Sequence, residues 1–230
     1  MRPLGRTAGT LACFVTTALE SRRRALFLDR DGVINVDHGY VFQQENFEFI
    51  DGVFDLCRAA IEHDYLVVVV TNQAGIGRGY YTEQQFHDLN QWMCAEFMAQ
   101  GVAIAGVYFC PFHPEHGIGP YKRRSDFRKP GPGMIFQAAR EHDVDLANSI
   151  LVGDKRSDIE AGLAAGVGCN VLYSPQGWSE KGTPKAVSID TKADDQETSE
   201  ALADTQDRFV GTAPVSEETG FFMALLFAFV

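Results

Sequence analysis

Five short apolar runs recur along the chain: ALFLD at 25–29, VVVVT at 67–71, GVYFC at 106–110, SILVGD at 149–154 and NVLY at 170–173. Each is of strand length. Segments with helical periodicity separate them. In one, Thr82 opens a Thr-x-x-Gln capping box, after which Phe86, Leu89, Met93 and Phe97 fall on a single face. The runs are apolar at successive positions rather than alternate ones, so both faces of such strands must be covered. Buried strands alternating with helices predict an α/β fold: a three-layer, Rossmann-like parallel sheet with helices on both faces. Three of the runs close on polar residues, Asp29, Thr71 and Asp154. These ends mark the carboxyl edge of the sheet, where open α/β folds place their ligands.

A chain of 230 residues, 45% hydrophobic and 22% charged, suits one well-buried domain, and no internal repeat is visible. The net charge of -11 is uneven: residues 1–24 carry five Arg against Glu20, whereas residues 186–230 carry nine acids against Lys192 and Arg208. The body between them is acidic. That argues against a nucleic-acid groove and fits an enzyme acting on a small molecule; a monomer is expected. The five Cys are odd in number and scattered, with Cys57 and Cys94 inside helical patterns. They read as reduced thiols of a cytoplasmic protein rather than a disulfide framework. Residues 1–24 read as a disordered extension, since their apolar run is diluted by Thr and no small-residue cleavage site follows. The folded core is expected at 25–185. The segment 186–230 would complete it or be appended to it, with loop to Asp207 and a last strand at Arg208–Val210. The terminal FFMALLFAFV is about half the length of a membrane span and reads as a buried helix or edge element, so no membrane partner is expected.

Four segments carry candidate chemistry. In LFLDRDGVIN, Asp29 and Asp31 are two apart at a strand end and Gly32 lets the chain turn away behind them. Two carboxylates in one small space invite a hard divalent cation and divide into nucleophile and proton carrier; the same residues also make a good solvated turn. In GDKRSDIEAG, Asp154 can complete a metal site, while Asp158 is either a helix cap or a support for a neighbouring group. In VVVVTNQAGIGRG, the Thr71 hydroxyl and the following Asn72, Gln73 and Ala74 offer an oxyanion cradle. In RKPGPGM, Arg128 and Lys129 precede a helix that opens with Pro and Gly, a position suited to phosphate, or to a solvated basic loop. The stretch CPFHPEHGIGPYKRRSDFRKP poses a further choice, because Cys110, His113 and His116 lie close in sequence ahead of a basic cluster. It is a metal site, a phosphate site or the remains of one.

Taken in order, these segments resemble the haloacid dehalogenase superfamily of phosphohydrolases over roughly residues 25–175. The runs DHGYV, NFEFIDGV, TNQAGIGRG, CPFHP and RKPGPGM are similar within it to the D-glycero-D-manno-heptose 1,7-bisphosphate phosphatases. The resemblance implies a core without a large cap domain and a Mg²⁺-dependent phosphatase. Asp29 would be the nucleophile and Asp31 the general acid/base. Mg²⁺ would be held by Asp29, Asp154 and the main-chain carbonyl of Asp31. Thr71 and Lys129 would hold the transferring phosphoryl group. It further implies that Asp37, His38, Gly39 and Tyr40 contact the sugar, and that Asn72, Gln73, Ala74, Arg128 and Lys155 bind substrate, a phosphorylated sugar. Histidinol-phosphate phosphatases share the core motifs and stand as the alternative enzyme; a catalytically idle binding relative is the alternative outside catalysis. The family's structural zinc needs a Cys-x-His and a Cys-x-Cys. Here Cys110 is retained, but Phe112, Ser125 and Phe127 stand at the other three positions, so no zinc is expected, and the two Phe are expected to pack together in its place.

Overall fold

The computed structural model describes residues 22–173 and 189–191. Residues 1–21, the strand expected at Arg208–Val210 and the apolar segment 221–230 lie outside them. Five parallel strands follow the five apolar runs to within two residues at each end: β1 (Arg24–Leu28), β2 (Tyr65–Asn72), β3 (Ile104–Cys110), β4 (Ile150–Gly153) and β5 (Cys169–Leu172). The sheet order is β3-β2-β1-β4-β5-β6, in which β6 (Ile189–Thr191) pairs antiparallel with β5. β6 falls in a stretch expected to be loop; three residues are too few for a periodic signal, and it is the edge of β5 that gives them structure.

Helices cover both faces, as the doubly apolar strands require. Leu26 and Leu28 of β1 and Val67 and Val69 of β2 point to one side, into a cluster with α1 (Val53–Glu62) and α3 (Glu83–Ala99). Ala25, Phe27, Val68 and Val70 point to the other, against α4 (Gly133–His142) and α5 (Arg156–Ala165). A further short helix, α2 (Ala74–Gly77), follows β2 directly. The α3 signals hold: Thr82 Oγ1 accepts from the Gln85 N–H at 3.1 Å, and the Gln85 side chain accepts from the Thr82 N–H at 2.9 Å. Phe86, Leu89, Met93 and Phe97 are all buried, each contributing about 1.5–3 kcal/mol by removal from water.

β1 lies between β2 and β4, with Leu28 level with Val69 and Val152. The residues that follow, Asp29, Thr71 and Asp154, therefore emerge together at one edge. The connections leaving that edge, 29–52 after β1 and 111–132 after β3, contain only the single 3₁₀ turns Gln44–Asn46 and Gly119–Tyr121, and no large cap domain intervenes.

Candidate active site

Asp29 is 5% exposed and Lys129, which meets it from the start of the α4 loop, is 3% exposed. The Lys129 ammonium donates to Asp29 Oδ1 at 2.9 Å, to Asp158 Oδ1 at 2.6 Å and to the Val70 carbonyl at 2.8 Å. All three of its hydrogens are thus engaged. The Asn72 side chain fixes the loop that carries it: its amide donates to the Lys129 carbonyl at 3.1 Å and accepts from the Lys129 N–H at 3.0 Å. The other oxygen of Asp158 accepts from the Lys155 N–H at 2.9 Å, at the start of α5. Asp158 is accordingly both a helix cap and a support for Lys129.

Between the two aspartates stands Arg30, a fully buried arginine that the sequence reading passed over. Its guanidinium reaches Asp31 Oδ1 at 2.9 Å and Oδ2 at 3.0 Å, and donates to the Val41 carbonyl at 2.7 Å. Asn35 donates to Asp31 Oδ1 at 3.2 Å and Gln73 to Asp31 Oδ2 at 2.9 Å. The available signal was the charge order Asp-Arg-Asp at a strand end, where the central residue must turn back into the protein if its neighbours face out. Tyr81 was missed as well; its hydroxyl donates to Gln73 Oε1 at 2.5 Å. Nothing in its local pattern marks it.

Oxygens of Asp29, Asp154 and Asp158 lie within 4.8 Å of one another, and among the described residues no other group of His, Cys, Asp and Glu gathers in this way. Burial and then the Asp29 charge push the Asp154 carboxyl up to about 7. Burial also raises Asp29, against the opposing charge of Lys129. Asp154 Oδ1 is buried without a hydrogen-bond partner. An orphaned carboxylate oxygen beside a second acid fits a hard divalent cation such as Mg²⁺, with Asp158 already committed to Lys129. Gly32 keeps this space open: its φ is +98°, and a Cβ there would stand 2.3 Å from Asp154 Oδ2.

A cavity of about 360 Å³ opens over this edge. It brings together Asp29, Asp31, Asp37, Gly39, Tyr40, Thr71, Asn72, Gln73, Ala74, Arg128, Lys129 and Lys155. Asp154 adjoins through Asp29. His38 does not join; its ring is turned to Glu48, 3.3 Å away on the exposed side. Asp37 pairs with Lys155 at 3.1 Å. Burial opposes both charges, yet each partner outweighs it, holding Asp37 low and, with Asp154, Lys155 high. Arg128 is engaged only by the Phe112 carbonyl, at 3.4 Å, and no acid pairs with it among the described residues.

In the loop from Cys110, the side chains of Cys110, His113 and His116 do not gather into a metal-ligating group. Cys110 is buried, and His113 Nδ1 already accepts the main-chain N–H groups of Glu115 and His116. Phe112, Ser125 and Phe127 offer no thiolate or imidazole, so the donor set does not fit zinc. The expected Phe112–Phe127 pair is not formed either. Phe112 instead lies 6.0 Å from the Tyr121 ring and 3.8 Å beneath the Arg123 guanidinium, while Phe127 is 36% exposed. A cation over the ring face competes well with a second ring, since Arg brings a charge as well as a plane.

The chain is similar to known proteins in sequence and fold. A family model described as HAD-hydrolase-like matches residues 126–174. The chain is 56% identical over 168 residues, 73% of its length and 89% of the relative's, to the D-glycero-alpha-D-manno-heptose-1,7-bisphosphate 7-phosphatase of Burkholderia mallei. It is 53% identical over 148 residues, covering 64% of this chain and 80% of the relative, to the beta-anomer enzyme of Vibrio cholerae. Among solved structures, the D,D-heptose 1,7-bisphosphate phosphatase of B. bronchiseptica complexed with magnesium and phosphate aligns with a TM-score of 0.57 and 31% identity, over 65% of this chain and 79% of that one. A HAD-like phosphatase from Mesorhizobium loti aligns at 0.62 and 34%, over 67% and 77%. The chain thus belongs to the D-glycero-D-manno-heptose 1,7-bisphosphate 7-phosphatase family of HAD-like hydrolases.

Proposed function

We propose that the protein removes the C7 phosphate of D-glycero-D-manno-heptose 1,7-bisphosphate, a step of lipopolysaccharide core biosynthesis, through an aspartyl-phosphate on Asp29. One observation carries this reading: a buried acid–lysine pair and an arginine with no acid partner among the described residues share an open cavity. The first suits the reacting phosphoryl group, and the second a phosphate that stays on the sugar.

Oδ1 of Asp29 accepts from Lys129 and from the Arg30 N–H at 2.8 Å, and no other hydrogen bond among the described residues reaches Oδ2. Oδ2 is the oxygen that attacks phosphorus. As its bond to phosphorus forms, the bond to the sugar oxygen breaks, and Asp31 supplies the proton that the departing oxygen needs. Asp31 then takes a proton from water, which attacks phosphorus, frees inorganic phosphate and restores Asp29. Thr71 and Lys129 hold the phosphoryl oxygens in line. Mg²⁺, held by Asp29, Asp154 and the Asp31 carbonyl, would neutralise charge on the phosphoryl oxygens. The 3₁₀-turn loops at 37–47 and 110–130 shape the open mouth, contributing Asp37, Gly39 and Tyr40 from the first and Arg128 from the second, with Lys155 at the start of α5.

The test is phosphate release by the purified protein with Mg²⁺, from both anomers of the heptose bisphosphate, from histidinol phosphate and from common sugar phosphates. One heptose anomer should show the highest kcat/KM, and Asp29→Asn should fall to background. Faster turnover of histidinol phosphate would sink the heptose assignment.

A further inference from the structure

We propose that Tyr81 is a positioning residue for the carboxylate Asp31, acting through the side chain of Gln73. The proposal rests on the reading of Asp31 as the acid–base group.

Gln73 is 1% exposed, and every polar position of its amide is taken. Its NH₂ donates to Asp31 Oδ2 and to Thr71 Oγ1, both at 2.9 Å. Its carbonyl oxygen accepts from the Tyr81 hydroxyl at 2.5 Å and from Arg30 Nη2 at 3.4 Å. A glutamine amide is nearly symmetric in shape, so its partners at both ends decide its orientation: the Asp31 carboxylate takes the NH₂, and two donors take the carbonyl oxygen. The shorter of the two comes from Tyr81. Reversed, the amide would turn its carbonyl on a carboxylate. The Tyr81 hydroxyl donates to that carbonyl oxygen, and burial raises the phenol above its ordinary range, so the donated proton is retained. Its ring is fixed in turn, stacked on Phe42 with centroids 5.1 Å apart and planes 10° from parallel. Gly75 admits the ring: a Cβ at that position would lie 2.2 Å from it.

Arg30 already restrains both oxygens of Asp31, and Asn35 restrains Oδ1. Tyr81 therefore refines the placement of Oδ2, the oxygen held by Gln73, rather than creating the site. Thr71 shares Gln73, but it is held independently by the pairing of β2 with β3. The effect should accordingly fall on proton delivery to the leaving group more than on the grip on phosphate.

Two esters separate these effects. The sugar phosphate leaves as an alkoxide that must be protonated, whereas 2,4-dinitrophenyl phosphate leaves as a stable phenolate. kcat/KM reports the steps through aspartyl-phosphate formation for each. Tyr81→Phe keeps the stacked ring and removes only the hydroxyl, so its melting temperature should stay close to that of the parent. It should lower kcat/KM for the sugar phosphate about tenfold, part of the roughly 10²–10⁴-fold that acid–base catalysis supplies, and for the aryl ester no more than about twofold. Asp31→Asn should show the same selectivity, more strongly. A Tyr81→Phe enzyme slowed equally on both esters, or on neither, overturns the proposal while Asp31→Asn stays selective. Equal slowing of both esters by Asp31→Asn overturns the acid–base reading itself, and the proposal with it.

Discussion

Lys129 holds its charge between two carboxylates with no hydrogen to spare, so the three side chains form a unit. Replacing the lysine by methionine keeps the stem and removes the cation, leaving Asp29 and Asp158 uncompensated in a buried pocket. Breaking such a group should cost about 3–5 kcal/mol of stability, seen as a lower urea midpoint for Lys129→Met with an unchanged m-value. Phosphatase activity should vanish in the same variant; retained turnover would remove Lys129 from the phosphoryl site. At this scale the sequence was informative wherever a polar residue closed an apolar run, as with Asp29, Thr71 and Asp154. It was silent where a polar group is buried by its neighbours' choices. Tyr81 is an ordinary letter until Gln73 is placed beside it, and Gln73 reaches Asp31 across 42 residues. His38 illustrates the reverse: it sits in the motif DHGYV, yet its ring leaves the cavity for Glu48.

The strands and α3 were legible because burial on both faces and a capping box leave continuous, local signatures. The loop from Cys110 to Pro130 was less so. Its missing ligands could be counted, but the replacement could not be identified, since Arg123 meets Phe112 only after the chain has turned through the 3₁₀ segment Gly119–Tyr121. The loop is held by that stack, by the His113 N–H on the Tyr121 carbonyl at 3.1 Å and by the Ile118 N–H on Gly77 at 2.8 Å. We expect protein purified without added metal to contain far less than one zinc per chain and to keep its Mg²⁺-dependent activity after treatment with a zinc-selective chelator. One tightly held zinc per chain in elemental analysis would contradict this account of the loop.

Across the molecule, the acids at the sheet edge tie folding to pH. Asp154 titrates near 7 in the metal-free native protein against an ordinary value of 3.8. Between these values the native state keeps a proton that the unfolded chain has lost. Stability of the metal-free protein should therefore be greatest at the acid end of that window and decline as pH rises through about 7. Mg²⁺ competes with that proton, so it should raise the melting temperature more at pH 8 than at pH 5; equal shifts at the two pH values would separate the cation from Asp154. The sheet carries a further consequence at its far margin. β5 would otherwise end the parallel array with a free row of N–H and C=O groups, and β6 runs against it the other way over only three residues. Among the described residues, so short a border leaves few main-chain groups on which a second molecule's strand could add, which should limit edge-to-edge association.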